Sequence, residues 1–109
     1  MIVDSKVQES LQGLIKNILE SEIYQEYQKQ LAMVKERPGL KDKIDEFRTR
    51  NLALQTGGNT TFEQLDSLER EFADFREDPL VDDFLAAELA LCRMLQKINR
   101  RLVEAIDFE

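Results

Sequence analysis

From Asp78 onward the chain reads Asp-Pro-Leu-Val-Asp-Asp-Phe-Leu and then runs to Glu109 with no further Gly or Pro. Nothing in that stretch interrupts a helix. Val81, Phe84, Leu91, Leu95, Ile98 and Leu102 recur mostly at steps of three or four, which is one stripe of an α-helix. Leu85, Cys92 and Ile106 form a second stripe, widened by Leu89, Met94 and Val103. A helix apolar over so much of its girth needs cover on more than one side. The stretch is therefore expected to be the central helix of a bundle.

Upstream, residues Ser5 to Arg37 are helical in pattern. Leu11, Leu14, Ile15, Ile18 and Leu19 share a face, and Ile23, Tyr27, Leu31 and Val34 continue a stripe with Tyr24 beside it. The register changes at Glu20 to Glu22, where Ser21 suits an N-cap. A kink and two separate helices fit that change equally well. Gly13 is either a close-packing point or a tolerated glycine. Arg37-Pro38-Gly39 breaks the pattern, since proline drives the residue before it out of the α region. Helix resumes at about Leu40 with Ile44, Phe47 and Leu54 on one face and Asn51 interrupting it, until Gly57-Gly58. Thr60 with Glu63, or Thr61 with Gln64, has capping-box spacing for a further helix bearing Phe62, Leu65, Leu68, Phe72 and Phe75. Pro79 ends that helix and suits the first turn of the last one, with Asp78 as N-cap.

The fold expected is all-α: one domain over residues 1–109, a small bundle of four to five helices with a long C-terminal helix and helix–proline–helix elbows at Pro38 and Pro79. The 42% hydrophobic content is enough for a core, and only 4 Gly and 2 Pro argue against a turn-rich β fold. No apolar run reaches membrane-spanning length and no basic segment leads an apolar one, so neither a membrane span nor a signal peptide is expected, and the cytoplasm is the expected location.

Chemistry is restricted by what is missing. There is one Cys and no His, which removes the usual proton shuttle and the commonest metal ligand. No catalytic residue, metal or cofactor is expected, and Asp42, Asp45, Glu46, Asp66, Glu69, Glu71 and Asp74 read as a solvated face. The net charge of −7 disfavours wholesale binding to nucleic acid or anionic membrane. Glu88 stands where a stripe expects an apolar residue; it pairs with an Arg, snorkels, or faces a partner chain. Asn51 and Asn99 also interrupt stripes, where a buried amide must be hydrogen-bonded and can set register. Cys92 is expected as a small buried residue. Arg93, Lys97, Arg100 and Arg101 suit the negative end of a helix dipole; the other reading is a basic patch for RNA or an acidic protein, with no aromatic among them for stacking. Tyr24 and Tyr27 read as interface aromatics or core-edge residues.

Taken together, Ser21-Glu22-Ile23-Tyr24-Gln25-Glu26-Tyr27, the proline elbow before Ile44-Asp45-Glu46-Phe47, and Asp78-Pro79-Leu80-Val81-Asp82-Asp83-Phe84-Leu85-Ala86-Ala87-Glu88 running on to Leu95-Gln96-Lys97-Ile98-Asn99-Arg100 resemble the YlbF/YmcA family of small bacterial regulators. The likeness spans roughly Val7 to Ile106. It implies an all-helical, cytoplasmic, non-enzymatic protein that forms a homodimer or a hetero-oligomer with a paralogue. It further implies a regulatory protein partner, with roles in competence, sporulation, biofilm formation and ribonuclease Y-dependent mRNA processing. Members that carry cysteines tied to iron–sulfur clusters differ from this chain, which has Cys92 alone. The candidate interaction residues are Tyr24, Tyr27, Glu88, Arg93, Lys97, Arg100 and Arg101. Direct RNA binding by the basic face is the alternative.

Overall fold

The computed structural model describes residues 4–58 and 61–106, and among these it contains five helices and no strand. Helix α1 spans Ser5–Leu19 and begins at Asp4, whose side chain accepts from the Lys6 amide at 2.9 Å. Helix α2 spans Glu22–Glu36. Two separate helices, not a kink, explain the register change. The Ser21 hydroxyl accepts from the Tyr24 amide at 3.2 Å and donates to the Ile18 carbonyl at 2.6 Å, so one side chain ends α1 and starts α2.

At the first elbow Gly39 takes φ 77°, a left-handed conformation that favours glycine, and α3 then runs Leu40–Thr56. Helix α4 spans Phe62–Phe75 and opens on a reciprocal cap: Thr61 Oγ1 accepts from the Gln64 amide at 3.2 Å, and Gln64 Oε1 accepts from the Thr61 amide at 3.0 Å. The rival start at Thr60 lies outside the described residues. Helix α5 spans Pro79–Ile106, with proline at its first position and Asp78 accepting from the Leu80 amide at 3.0 Å.

The residues fall into two compact units. The unit Gln30–Ala86 holds the end of α2, all of α3 and α4, and the start of α5. Val34, Ile44, Phe47, Leu68, Val81 and Phe84 are buried there. The Phe47 ring stacks on Phe75 with centroids 5.0 Å apart and meets Phe72 at 5.9 Å in a tilted pair. Each such side chain contributes roughly 1.5–3 kcal/mol by leaving water. Arg50 bridges α3 to Glu71 of α4 at 2.8 Å, and Arg76 reaches Asp82 at 2.6 Å. The two proline elbows are joined by an ion pair from Arg37 to Asp78. The hydrogen bond from Arg37 is the main reason the Asp78 carboxyl is held below its ordinary range, with the Leu80 amide adding to it against a smaller opposing effect of desolvation.

The other unit, Met1–Lys29 with Ala87–Glu109, contains α1, the first half of α2 and the last part of α5. Its packing is much thinner. Helix α1 has no buried residue, and in this unit's stretch of α5 only Ala87 is buried among the described residues. Leu14, Ile18, Leu91, Met94 and Ile98 are half-buried, while Leu11, Ile15, Leu19, Leu95 and Leu102 are exposed. The central-helix expectation thus holds for Val81, Phe84 and Ala87. Beyond Leu89 it fails in part: among the described residues Leu91, Met94 and Ile98 are only half-buried, and Leu95, Leu102, Val103 and Ile106 are exposed.

A candidate interaction surface on the first and last helices

Successive residues of a helix advance by about 100°. On α5 the half-buried line is Leu91, Met94 and Ile98. Leu95, Leu102 and Ile106 cluster on one flank of that line, and Arg93, Lys97 and Arg100 on the other. On α1 the half-buried line is Leu14 and Ile18, with Leu11, Ile15 and Leu19 together on one flank and Ser10, Gly13 and Asn17 on the opposite one. An open groove of about 560 Å³ is lined by Leu14 of α1 and by Met94, Ile98 and Leu102 of α5, with Lys97 and Arg101 at its rim. A Cβ placed on Gly13 would meet nothing within 4 Å, so this glycine is tolerated and marks no close approach.

The extent of the exposed apolar surface separates this unit from the other. Among the described residues, ten of the fourteen large apolar side chains left exposed lie in it: Val7, Leu11, Ile15, Leu19 and Ile23 from α1 and α2, and Leu89, Leu95, Leu102, Val103 and Ile106 from α5. Scattered apolar residues are ordinary on a protein surface, but a contiguous flank on an amphipathic helix marks a face that another molecule covers.

The basic flank differs from the charges elsewhere. Arg93, Lys97, Arg100 and Arg101 are all exposed and have no ion pair among the described residues. In the Gln30–Ala86 unit, by contrast, Arg37, Lys41, Arg50, Arg70 and Arg76 each meet a carboxylate. Glu88 is half-buried between Phe84 and Leu91. Tyr24 and Tyr27 are half-buried on α2, their rings 6.3 Å apart and tilted, and the Tyr24 hydroxyl accepts from Gln28 Nε2 at 2.9 Å. The surface therefore brings the four cations together on one flank of α5, while the tyrosines belong to α2.

Three expectations are corrected. Cys92 is exposed, because it lies off the half-buried line of α5, past the flank of Leu95 and Ile106. Asn99 is exposed for the same reason, and no buried amide sets register there. Asn51 is exposed as well, and its side-chain oxygen accepts from Gln55 Nε2 at 3.4 Å along α3. A fourth departure is Phe62. Placed on the α4 stripe by its spacing, it is 82% exposed because it sits on the first turn, beyond the reach of the core.

Among the described residues no three Cys, Asp or Glu side chains converge as a metal site, and no helix is long and apolar enough to cross a membrane. The family model described as control of competence regulator ComK, YlbF/YmcA, matches residues 7–107. A UPF0342 protein of Staphylococcus saprophyticus is 32% identical over 92 residues, covering 81% of each chain. A UPF0342 protein of Symbiobacterium thermophilum is 29% identical over 101 residues, covering 89% of this chain and 90% of its own. No solved structure matches.

Proposed function

Because the chain belongs to the YlbF/YmcA family, a family described by control of the competence regulator ComK, we propose that it is a non-enzymatic regulatory adaptor of the cytoplasm that acts by protein contacts through helical surfaces. The observation that carries this reading is the uncovered apolar flank of α1 and α5, together with α1 having no buried residue. A second copy, or a paralogue with the same flank, covers that surface. Closing it removes the six large apolar side chains of the flank from water, Leu11, Ile15 and Leu19 on α1 and Leu95, Leu102 and Ile106 on α5, which suits a specific interface better than an isolated exposed residue would. The assembled form then engages a regulatory partner, and ribonuclease Y-dependent mRNA processing is the process that the family resemblance implies.

Light scattering of the purified chain at tens of micromolar tests the assembly, and affinity capture from the native host tests the partner. A clean monomer at that concentration would remove the first half of the reading. Failure to recover any reproducible partner would remove the second.

One observation favours direct RNA binding as a second reading: four exposed cations on one flank of α5, none neutralised within the described chain. RNA binding on this surface would weaken steeply with salt, because it works by releasing counterions, and would fall when Arg93, Lys97, Arg100 and Arg101 are changed to Ala. Absence of binding at low salt eliminates it.

A further inference from the structure

The open groove between α1 and α5 is built from two kinds of side chain. Leu14, Met94, Ile98 and Leu102 make its floor, Lys97 and Arg101 its rim, and no carboxylate lines it. The rim continues along α5. Arg93, Lys97 and Arg101 are spaced by four residues, a row of cations that rises about 6 Å at each step, with Arg100 beside it. All four are exposed, and none has an ion pair among the described residues. Between Arg93 and Ile106 the one carboxylate on that flank is Glu104, so four cations stand against one anion. Glu22 and Glu26 of α2 lie beside Ala90, a turn before the row begins, and pair with none of the four. In a chain of net charge −7, the groove is a local inversion of sign.

An apolar floor beside a cationic rim sets two requirements on what enters. RNA meets the rim alone, because no aromatic side chain lines the groove for a base to stack on. A small molecule is enclosed over most of its surface by its pocket, whereas this groove is open to solvent. A second copy placed across the groove by a twofold axis brings the same cations opposite, and like charges repel. A helix with an apolar stripe and, beside it, Asp or Glu at every fourth residue meets both requirements. We propose, on the reading that the chain acts by protein contacts, that this groove seats such an acidic amphipathic helix of another protein. The leucines of the helix lie on Met94 and Ile98, and its carboxylates face Arg93, Lys97 and Arg101. Of the groove's lining only Leu102 belongs also to the self-association flank, so the two contacts can be lost separately.

The test uses the full chain and a fluorescein-labelled, Ala-rich helical peptide, read by fluorescence anisotropy. The peptide carries three Leu at spacings of three and four, with Glu at every fourth residue beside them. Replacing its Glu by Lys weakens binding by about tenfold or more, and replacing its Leu by Ala with the Glu kept does the same. The exposed pair Lys97→Glu, Arg101→Glu inverts the preference, so the Lys peptide then binds better, while circular dichroism stays unchanged. Equal binding of the Glu and Lys peptides overturns the proposal, as does indifference to the leucines, which leaves charge alone. A labelled single-stranded RNA that binds more tightly than the Glu peptide assigns the flank to nucleic acid and overturns it too. Loss of self-association in the Lys97→Glu, Arg101→Glu variant makes the occupant a second copy, with the same result. The assembly itself is followed by light scattering of the same samples. A monomer that binds the Glu peptide supports the groove and removes the assembly, whereas a dimer that binds no Glu peptide removes the groove alone.

Discussion

The α5 flank can be tested by the double substitution Leu95→Ala, Leu102→Ala. The two leucines are 45% and 50% exposed in the single chain, so each has about half a side chain left to bury in an assembly. Full burial of a leucine is worth roughly 1.5–3 kcal/mol, which puts the remaining half at about 1 kcal/mol. In a twofold assembly each substitution occurs twice, giving a total loss of about 4 kcal/mol, or about a thousandfold in dissociation constant at 1.4 kcal/mol per decade. Sedimentation equilibrium over a concentration series measures it. The same substitutions remove atoms that already face water in the monomer, so thermal unfolding at dilutions where the monomer dominates should move by less than about 0.5 kcal/mol. An unchanged dissociation constant would refute the assignment of this flank as the interface. Loss of the folded monomer with association intact would refute it differently, by showing that these leucines belong to the chain's own core.

Substitution at the first elbow, Gly39→Ala, destabilises by about 1 kcal/mol in urea unfolding, from the left-handed φ alone, since a Cβ there meets nothing within 4 Å. Thr61→Ala removes the oxygen that caps α4 and costs about 1 kcal/mol by the same measurement, with the loss of protection at the start of α4 visible by hydrogen exchange. Ile44→Val, at a position 2% exposed, costs about 0.5–1.5 kcal/mol even though only one methylene is lost. The Arg37–Asp78 pair has a definite pH dependence. Asp78 is lowered in the folded state from an unfolded value of 3.8, so its contribution is complete above that pH and fades as pH falls below it. The stability gap between the native chain and Arg37→Ala should therefore be constant near neutrality and shrink on acidification below about pH 4 in parallel urea titrations.

Local features of the sequence carried most of the element boundaries. Ser21, the Thr61–Gln64 box, Asp78 and Pro38-Gly39 act within a few residues of themselves, and each does in the structure what its spacing requires. The stripes named the right faces, but period alone does not say whether a face is covered. Leu11, Ile15 and Leu19 keep perfect helical spacing and are exposed, while Ile44 and Phe47 with the same kind of spacing are buried. The reason is that cover comes from distant chain. A cavity between α3, α4 and α5 draws on Ile44, Leu68 and Leu85, and the elbows are tied by Arg37 and Asp78, 41 residues apart. No short-range signal joins such positions. Cys92 and Asn99 are exposed against expectation for a related reason: on a helix apolar nearly all round, the inner side is chosen by its neighbours and not by its own composition.

Cys92 has a practical consequence. It is the chain's one thiol, and it is exposed on α5 near the leucine flank. A nitroxide attached there, with no background mutation, labels every molecule at one point. In a twofold assembly built on that flank, pulsed electron resonance would then return one short distance between paired labels, and diluting labelled chains with unlabelled ones would erase it.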